Sequence, residues 1–191
     1  MSKEKLLLLG AGSFGRTVSD FARLQYDCAF LDDNYAPGDS VCGLPVVGKI
    51  EDMDKLFGKY RLLTVTVGSS SLREKYLQRA RNVGYEIPTI LSPTAYVSPF
   101  ASVGEGCVLL QNVCVQNGAF VGKGVLLNPG VEVHADAIVA DYALVYTNSV
   151  VRTGAVVGRR ARVGSNVTVC NFARVPEDAD VPDCMTVRMS K

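Results

Sequence analysis

From Val97 every sixth residue is Val or Leu, without a gap, through Val181. The run of fifteen begins Val97, Val103, Leu109, Val115 and closes Val169, Val175, Val181. Four places after each start sits a small or compact residue, as at Ala101, Cys107, Ala119, Ala137, Ser149 and Ala161. The third and fourth places collect turn formers, among them Gly106, Gly118, Gly124, Pro129, Gly130, Asn148, Gly154 and Asn166. A period of six suits neither a helix at 3.6 nor an alternating strand at 2. It suits very short strands joined by turns and coiling, so that one large, mostly β-branched residue points inward per strand and a small one fills each corner. A valine-rich sandwich would need irregular loops, and none interrupts the fifteen starts.

The first half has a different grammar. Lys5-Leu6-Leu7-Leu8-Leu9 followed by Gly10-Ala11-Gly12-Ser13-Phe14-Gly15 reads as a buried strand entering a G-x-G-x-x-G turn. A helix is expected over 16–24, with Val18, Phe21 and Ala22 on one face, then a strand over 28–31 and the pair Asp32-Asp33. Further strands are expected at 62–67 and 87–91. They flank a helix over 70–83 that opens at Ser69–Ser71 with Glu74 in its first turn. Glycines let backbone approach a ligand, a helix N-terminus offers unpaired N–H groups to phosphate, and an acid about 20 residues on is placed to accept ribose hydroxyls. The motif alone also fits a purely structural tight turn. Strand, glycines, helix, strand and acid in sequence favour a Rossmann-like nucleotide-binding unit. About 90 residues are too few for both halves of a dinucleotide fold, so a mononucleotide or nucleotide-sugar is expected rather than NAD.

Composition excludes several classes. Twenty Lys+Arg against 19 Asp+Glu leave a net charge of +1, and residues 97–191 hold eight of each sign, without the basic stripe of a nucleic-acid binder. No apolar run approaches the roughly 20 residues of a membrane span, and the glycine turn directly after the first apolar run argues against a signal peptide. The six cysteines form no C-x-x-C pair, and one histidine leaves a Cys/His metal site short of partners, so no metal is expected. Reduced, packing cysteines in a cytoplasmic protein are expected. His134 is the one imidazole available for acid–base work near neutrality.

The hexads resemble those of the hexapeptide-repeat acyltransferases. That resemblance implies a left-handed parallel β-helix with three hexads per 18-residue coil, assembly as a homotrimer, and acyl-CoA bound between neighbouring helices. Taken together, GAGSFGRTVSDFARLQYDCAFLDD, GLPVVGKIED and PTAYVSPFASVGEGCVLLQNVCVQNGAFVGKGVLLNPGVEV resemble the sugar O/N-acyltransferases of the sialic-acid O-acetyltransferase and bacillosamine-pathway N-acetyltransferase group. The resemblance spans nearly the whole chain. It implies a nucleotide-sugar domain at 1–92 and an acyltransferase-type β-helix at 93–191. It also implies a UDP-sugar held by Gly10, Gly12, Ser13, Phe14, Gly15, Asp32 and Asp33, and acetyl-CoA as acetyl donor for surface-glycan biosynthesis.

The chain departs from that family at its base. Where the family reads V-E-H-D-C-V, this chain reads Val133-His134-Ala135-Asp136-Ala137-Ile138. In register, Ala135 takes the place of the base histidine, His134 that of the acid before it, Asp136 that of the acid after it, and Leu144 that of the second histidine. The closing G-x-P-A-K segment is absent from 181–189. His134 is read as a displaced general base oriented by Asp136, as a ligand-binding group, or as an exposed residue without a role. The rival to an enzyme is a trimeric nucleotide-sugar-binding or scaffold protein that has lost the base. Arg152, Arg159 and Arg160 fit a CoA phosphate, or a solvated face paired with Glu177, Asp178 and Asp180. An 18-residue coil further predicts two outward apolar columns at a trimer interface, Val108-Leu126-Leu144 and Phe120-Ile138-Val156. It also predicts a ladder of alternating charge, Glu105-Lys123-Asp141-Arg159-Glu177. Met185 and Met189 are expected to fold over the open end of the coil.

Overall fold

The structure, a computed structural model, describes residues 3–189. The chain divides into two compact units, Met1–Ile90 and Leu91–Lys191. The first runs β1 (Lys5–Leu9), α1 (Ser13–Gln25), β2 (Asp27–Leu31), β3 (Ser40–Val41), β4 (Leu44–Gly48), α2 (Met53–Leu56), β5 (Leu62–Val65) and α3 (Ser70–Val83). Its sheet has the order β3-β4-β2-β1-β5, parallel except for the β3–β4 hairpin. Leu6, Leu7, Leu8 and Leu9 are all fully buried, as a strand covered on both faces requires, which is why β1 reads as a continuous apolar run. The chain leaves β1 through α1 to β2 on one side, while β5 lies on the other. The strand order therefore reverses between β1 and β5, the place where parallel sheets open a crevice at their carboxyl ends.

Element bounds shift where backbone demands differ from side-chain pattern. Helix α1 begins at Ser13, before residue 16, because the last residues of the glycine turn already take helical backbone. Only Ile90–Leu91 of the expected strand over 87–91 forms. Pro88 has no N–H to give a ladder there, and pairing with β5 shrinks to one bridge, Leu62 to Glu86. Helix α3 holds its expected bounds. The Ser69 hydroxyl accepts the Leu72 N–H at its start, and Gly84, at φ 104°, ends it in the left-handed region.

The second unit is a parallel β-helix of two-residue strands. Cys114 pairs with Glu132, Phe120 with Ile138 and Leu126 with Leu144, so each coil takes 18 residues and three faces. The inward Leu109, Val115, Val121, Leu127, Val133 and Val139 are fully buried, with Cys107, Ala119, Ala137, Ala143 and Ala155 filling the corners. Corners are tight turns: the fifth residue donates to the carbonyl of the second, as Ala137 does to His134 at 3.1 Å, and the fourth takes positive φ. That is the signature of a type II turn, which favours Gly or Asn at this place. Gly106, Gly118, Gly124, Asn148, Gly154 and Asn166 occupy it here.

Two surface expectations change. Val108, Leu126 and Leu144 are 0%, 0% and 4% exposed, so that column is already covered within the chain and leaves nothing for a partner. Phe120 (48%) and Ile138 (39%) do remain exposed. Met185 and Met189 are exposed rather than folded over the coil. The chain there adds one more rung, Thr186–Val187 beside Thr168–Val169, and the Met185 carbonyl accepts the Thr168 N–H.

Candidate functional site

At the carboxyl edge of the first sheet the three glycines of the turn serve different ends. Gly10 sits at φ 111°, closed to other residues without strain. Gly15 lies so close to the Gly10 carbonyl that a side chain would overlap it. Gly12 caps α1 at a normal φ of −65°, and a side chain there would meet only open space. The result is a helix of 13 residues with no side-chain cap hydrogen bond at its start and open space beside Gly12. Ser13 is exposed and Phe14 half-buried at its first turn.

Asp32 and Asp33 divide their labour. Asp32 is buried: its Oδ2 accepts the Ala11 N–H at 2.6 Å, and its Oδ1 accepts from the Asn34 N–H and amide. It braces the glycine turn from below. Asp33 is exposed, accepts the Ile50 N–H at 2.9 Å and lines an open cavity of about 500 Å³ with Lys49, Ile50, Glu51, Lys75, Tyr76 and Arg79. Lys49 Nζ donates to the Asp33 and Tyr35 carbonyls, which fixes that wall. Sequence reasoning missed the α3 side of the cavity, Lys75, Tyr76 and Arg79, since no motif marks them. It also missed Arg73, fully buried, whose guanidinium donates to the Val67 and Gly68 carbonyls and so pins the turn between β5 and α3.

On the β-helix, His134 is half-buried and its Nε2 lies 2.9 Å from Glu132 Oε2. Strand geometry explains the pair. Glu132 and His134 flank the inward Val133, so both point outward on one face. The Ala135 N–H is held by Gln116 Oε1 at 3.2 Å, one coil back. Asp136, the acid expected to orient the ring, instead occupies a corner at φ 59° with its carboxylate packed under Gly118. Two-residue spacing also holds for Glu132, and it was the sequence signal to use. Cys114 lies beside Glu132 in the ladder, and burial first, then the Glu132 charge, push its thiol pKa up. Leu144, at the place of the family's second histidine, is buried.

The three arginines separate. Arg160 donates to Asp178 and Glu177, and Arg159 lies 3.6 Å from Glu177, so both belong to an ion-pair network. Arg152 is exposed, one coil beyond His134, and takes part in no ion pair among the described residues. Among the described residues no group of three His, Cys, Asp or Glu converges as a metal site, and no helix is long and apolar enough to cross a membrane.

Residues 5–80 match the PglD N-terminal domain family. No curated protein matches the chain. Among solved structures, a mutant of perosamine N-acetyltransferase from Caulobacter crescentus, in complex with CoA and GDP-perosamine, is 25% identical. The match covers 97% of this chain and 89% of that one at a TM-score of 0.92. The acetyltransferase domain of PglB from Neisseria gonorrhoeae is 26% identical, over 98% and 93% of the two chains, at a TM-score of 0.94. The same domain in complex with acetyl coenzyme A is 28% identical, over 97% and 96%, at a TM-score of 0.87.

Proposed function

From a chain that joins a PglD N-terminal domain to the fold of the hexapeptide-repeat sugar N-acetyltransferases, we propose an acetyltransferase that moves the acetyl group of acetyl-CoA to a nucleotide-linked amino sugar. It acts in the cytoplasm, as a homotrimer, in surface-glycan biosynthesis. The nucleotide diphosphate is held at the α1 N-terminus over Gly12, Ser13 and Phe14, and the nucleoside beside Asp33. Asp32 and Gly15 shape the turn without touching it. Of the three arginines, Arg152, in no ion pair among the described residues, is the one left to meet a CoA phosphate.

His134 is the general base, one place before the family's own. It removes a proton from the amine as nitrogen bonds to the thioester carbonyl carbon. The C–S bond then breaks, the proton held by His134 passes to the departing sulfur, and CoA leaves as the thiol with the base restored. The observation that carries this reading is the chain's single imidazole, held by a carboxylate on an outer face of the coil. A positioned base contributes about 10²–10⁴-fold, so His134→Ala should lower kcat by that range in a CoA-release assay with UDP- and GDP-linked amino sugars. Ala135 and Leu144, in place of the family's two histidines, favour a second reading as a nucleotide-sugar-binding protein without catalysis. Sugar binding with no CoA release by the wild type would select that reading.

A further inference from the structure

We propose that Glu132 is the positioning acid for His134, holding the imidazole in the tautomer that leaves Nδ1 as the proton acceptor; the inference rests on the acetyl-transfer reading above. A carboxylate only accepts hydrogen bonds, so the 2.9 Å contact requires the proton on Nε2. The other ring nitrogen then carries its lone pair, and Nδ1 makes no hydrogen bond to any described residue. The arrangement reverses the order along the chain expected for Asp136: the acid precedes the ring by two residues instead of following it by two.

Three contacts make the pair a built feature. The main chain on both sides of the ring is tied to the next coil, His134 N–H to the Val151 carbonyl at 2.9 Å and Glu132 N–H to the Ser149 carbonyl at 3.1 Å. Gln116, one coil back, takes the Ala135 N–H and fixes the chain as it leaves the ring. Asp136 makes no side-chain hydrogen bond among the described residues, so no second carboxylate competes for the ring. Cys114, the nucleophile nearest the pair in the ladder, is held as a thiol by burial and by Glu132 itself, so acetyl transfer by way of a cysteine thioester is disfavoured.

The test uses the full chain, whose single histidine gives one unambiguous pair of ring ¹⁵N signals. In wild type, at a pH where the ring is neutral, Nε2 should carry the proton almost exclusively. Glu132→Ala should relax the ring to a mixture of tautomers and lower kcat roughly tenfold to a hundredfold, with KM within about twofold. Glu132→Gln, which keeps an acceptor oxygen in place, should retain the tautomer and recover part of kcat. Asp136→Asn should leave both readouts at wild-type values. A tautomer that survives Glu132→Ala, or one that changes in Asp136→Asn, overturns the assignment. If wild type releases no CoA, the acetyl-transfer reading fails, and the ring signals still decide whether Glu132 holds the imidazole.

Discussion

Gly10, Gly12 and Gly15 share one turn, and substituting each should have its own signature. A Cβ at Gly15 would collide with the Gly10 carbonyl, which belongs to the backbone and cannot swing away. Gly15→Ala should therefore destabilise the first unit by about 1–3 kcal/mol, the usual penalty for overpacking, read as a lower urea midpoint. Gly12→Trp meets open space and changes only a helix cap, so stability should move by no more than about 1 kcal/mol. Nucleotide binding, followed by calorimetry, should be lost in that variant, because the indole fills the surface over the α1 N-terminus. Intact binding in Gly12→Trp would reject the site. The motif named these glycines, yet their separate reasons lie in distances that no spacing encodes. The same holds for Asp32 and Asp33, adjacent and chemically alike in the sequence, one buried under the turn and the other facing the cavity.

At the scale of the hexad, the period of six in Val and Leu was enough to read the inward column. The 18-residue coil was implied by the family resemblance rather than by the period, and the pairing of Cys114 with Glu132, Phe120 with Ile138 and Leu126 with Leu144 bears it out. What escaped was the second use of Asp at the third place. Asp141 Oδ1 accepts the Lys123 N–H at 3.0 Å and Asp183 Oδ1 accepts the Ser165 N–H at 2.7 Å, each beneath a glycine, Gly122 and Gly164. The charge ladder thus holds a backbone bond at one rung and an ion pair, Arg159 to Glu177, at another. Asp141→Lys would place a lysine between Lys123 and Arg159 and also remove an acceptor. Its melting temperature should fall in two separable parts. The repulsion should vanish in 1 M salt, where the Debye length is about 3 Å. A remainder worth about 1 kcal/mol should persist, from the unpaired Lys123 N–H. Complete recovery in salt would show that the backbone bond contributes nothing.

For the whole molecule, the exposed Phe120 and Ile138 belong to the column, of the two expected, that the chain does not cover itself, continued by the half-buried Val156. A continuous stripe of this kind is unusual on a soluble monomer, and it is the face by which the proposed trimer would assemble. Ile138→Lys should convert the trimer to monomer by light scattering at micromolar concentration, with the β-strand signal retained. A wild type that is already monomeric would reject the assembly. The alternative column was lost to that role because outward direction can be read from a period, whereas burial depends on what the rest of the chain lays over it. The 18-residue coil also acts as a reading frame with two moduli. The interior counts in sixes, since any strand accepts Val or Leu facing inward, whereas the outer faces count in eighteens. Loss of six residues after Ala140 would leave an intact core and turn every later residue onto the next face, parting Arg152 from the column of Gln116 and His134. Loss of eighteen would shorten the coil by one storey of about 5 Å and keep each face in phase. Length in this fold can therefore drift by whole coils without disturbing a surface, and a one-hexad error is silent to folding while it scrambles whatever the surface does.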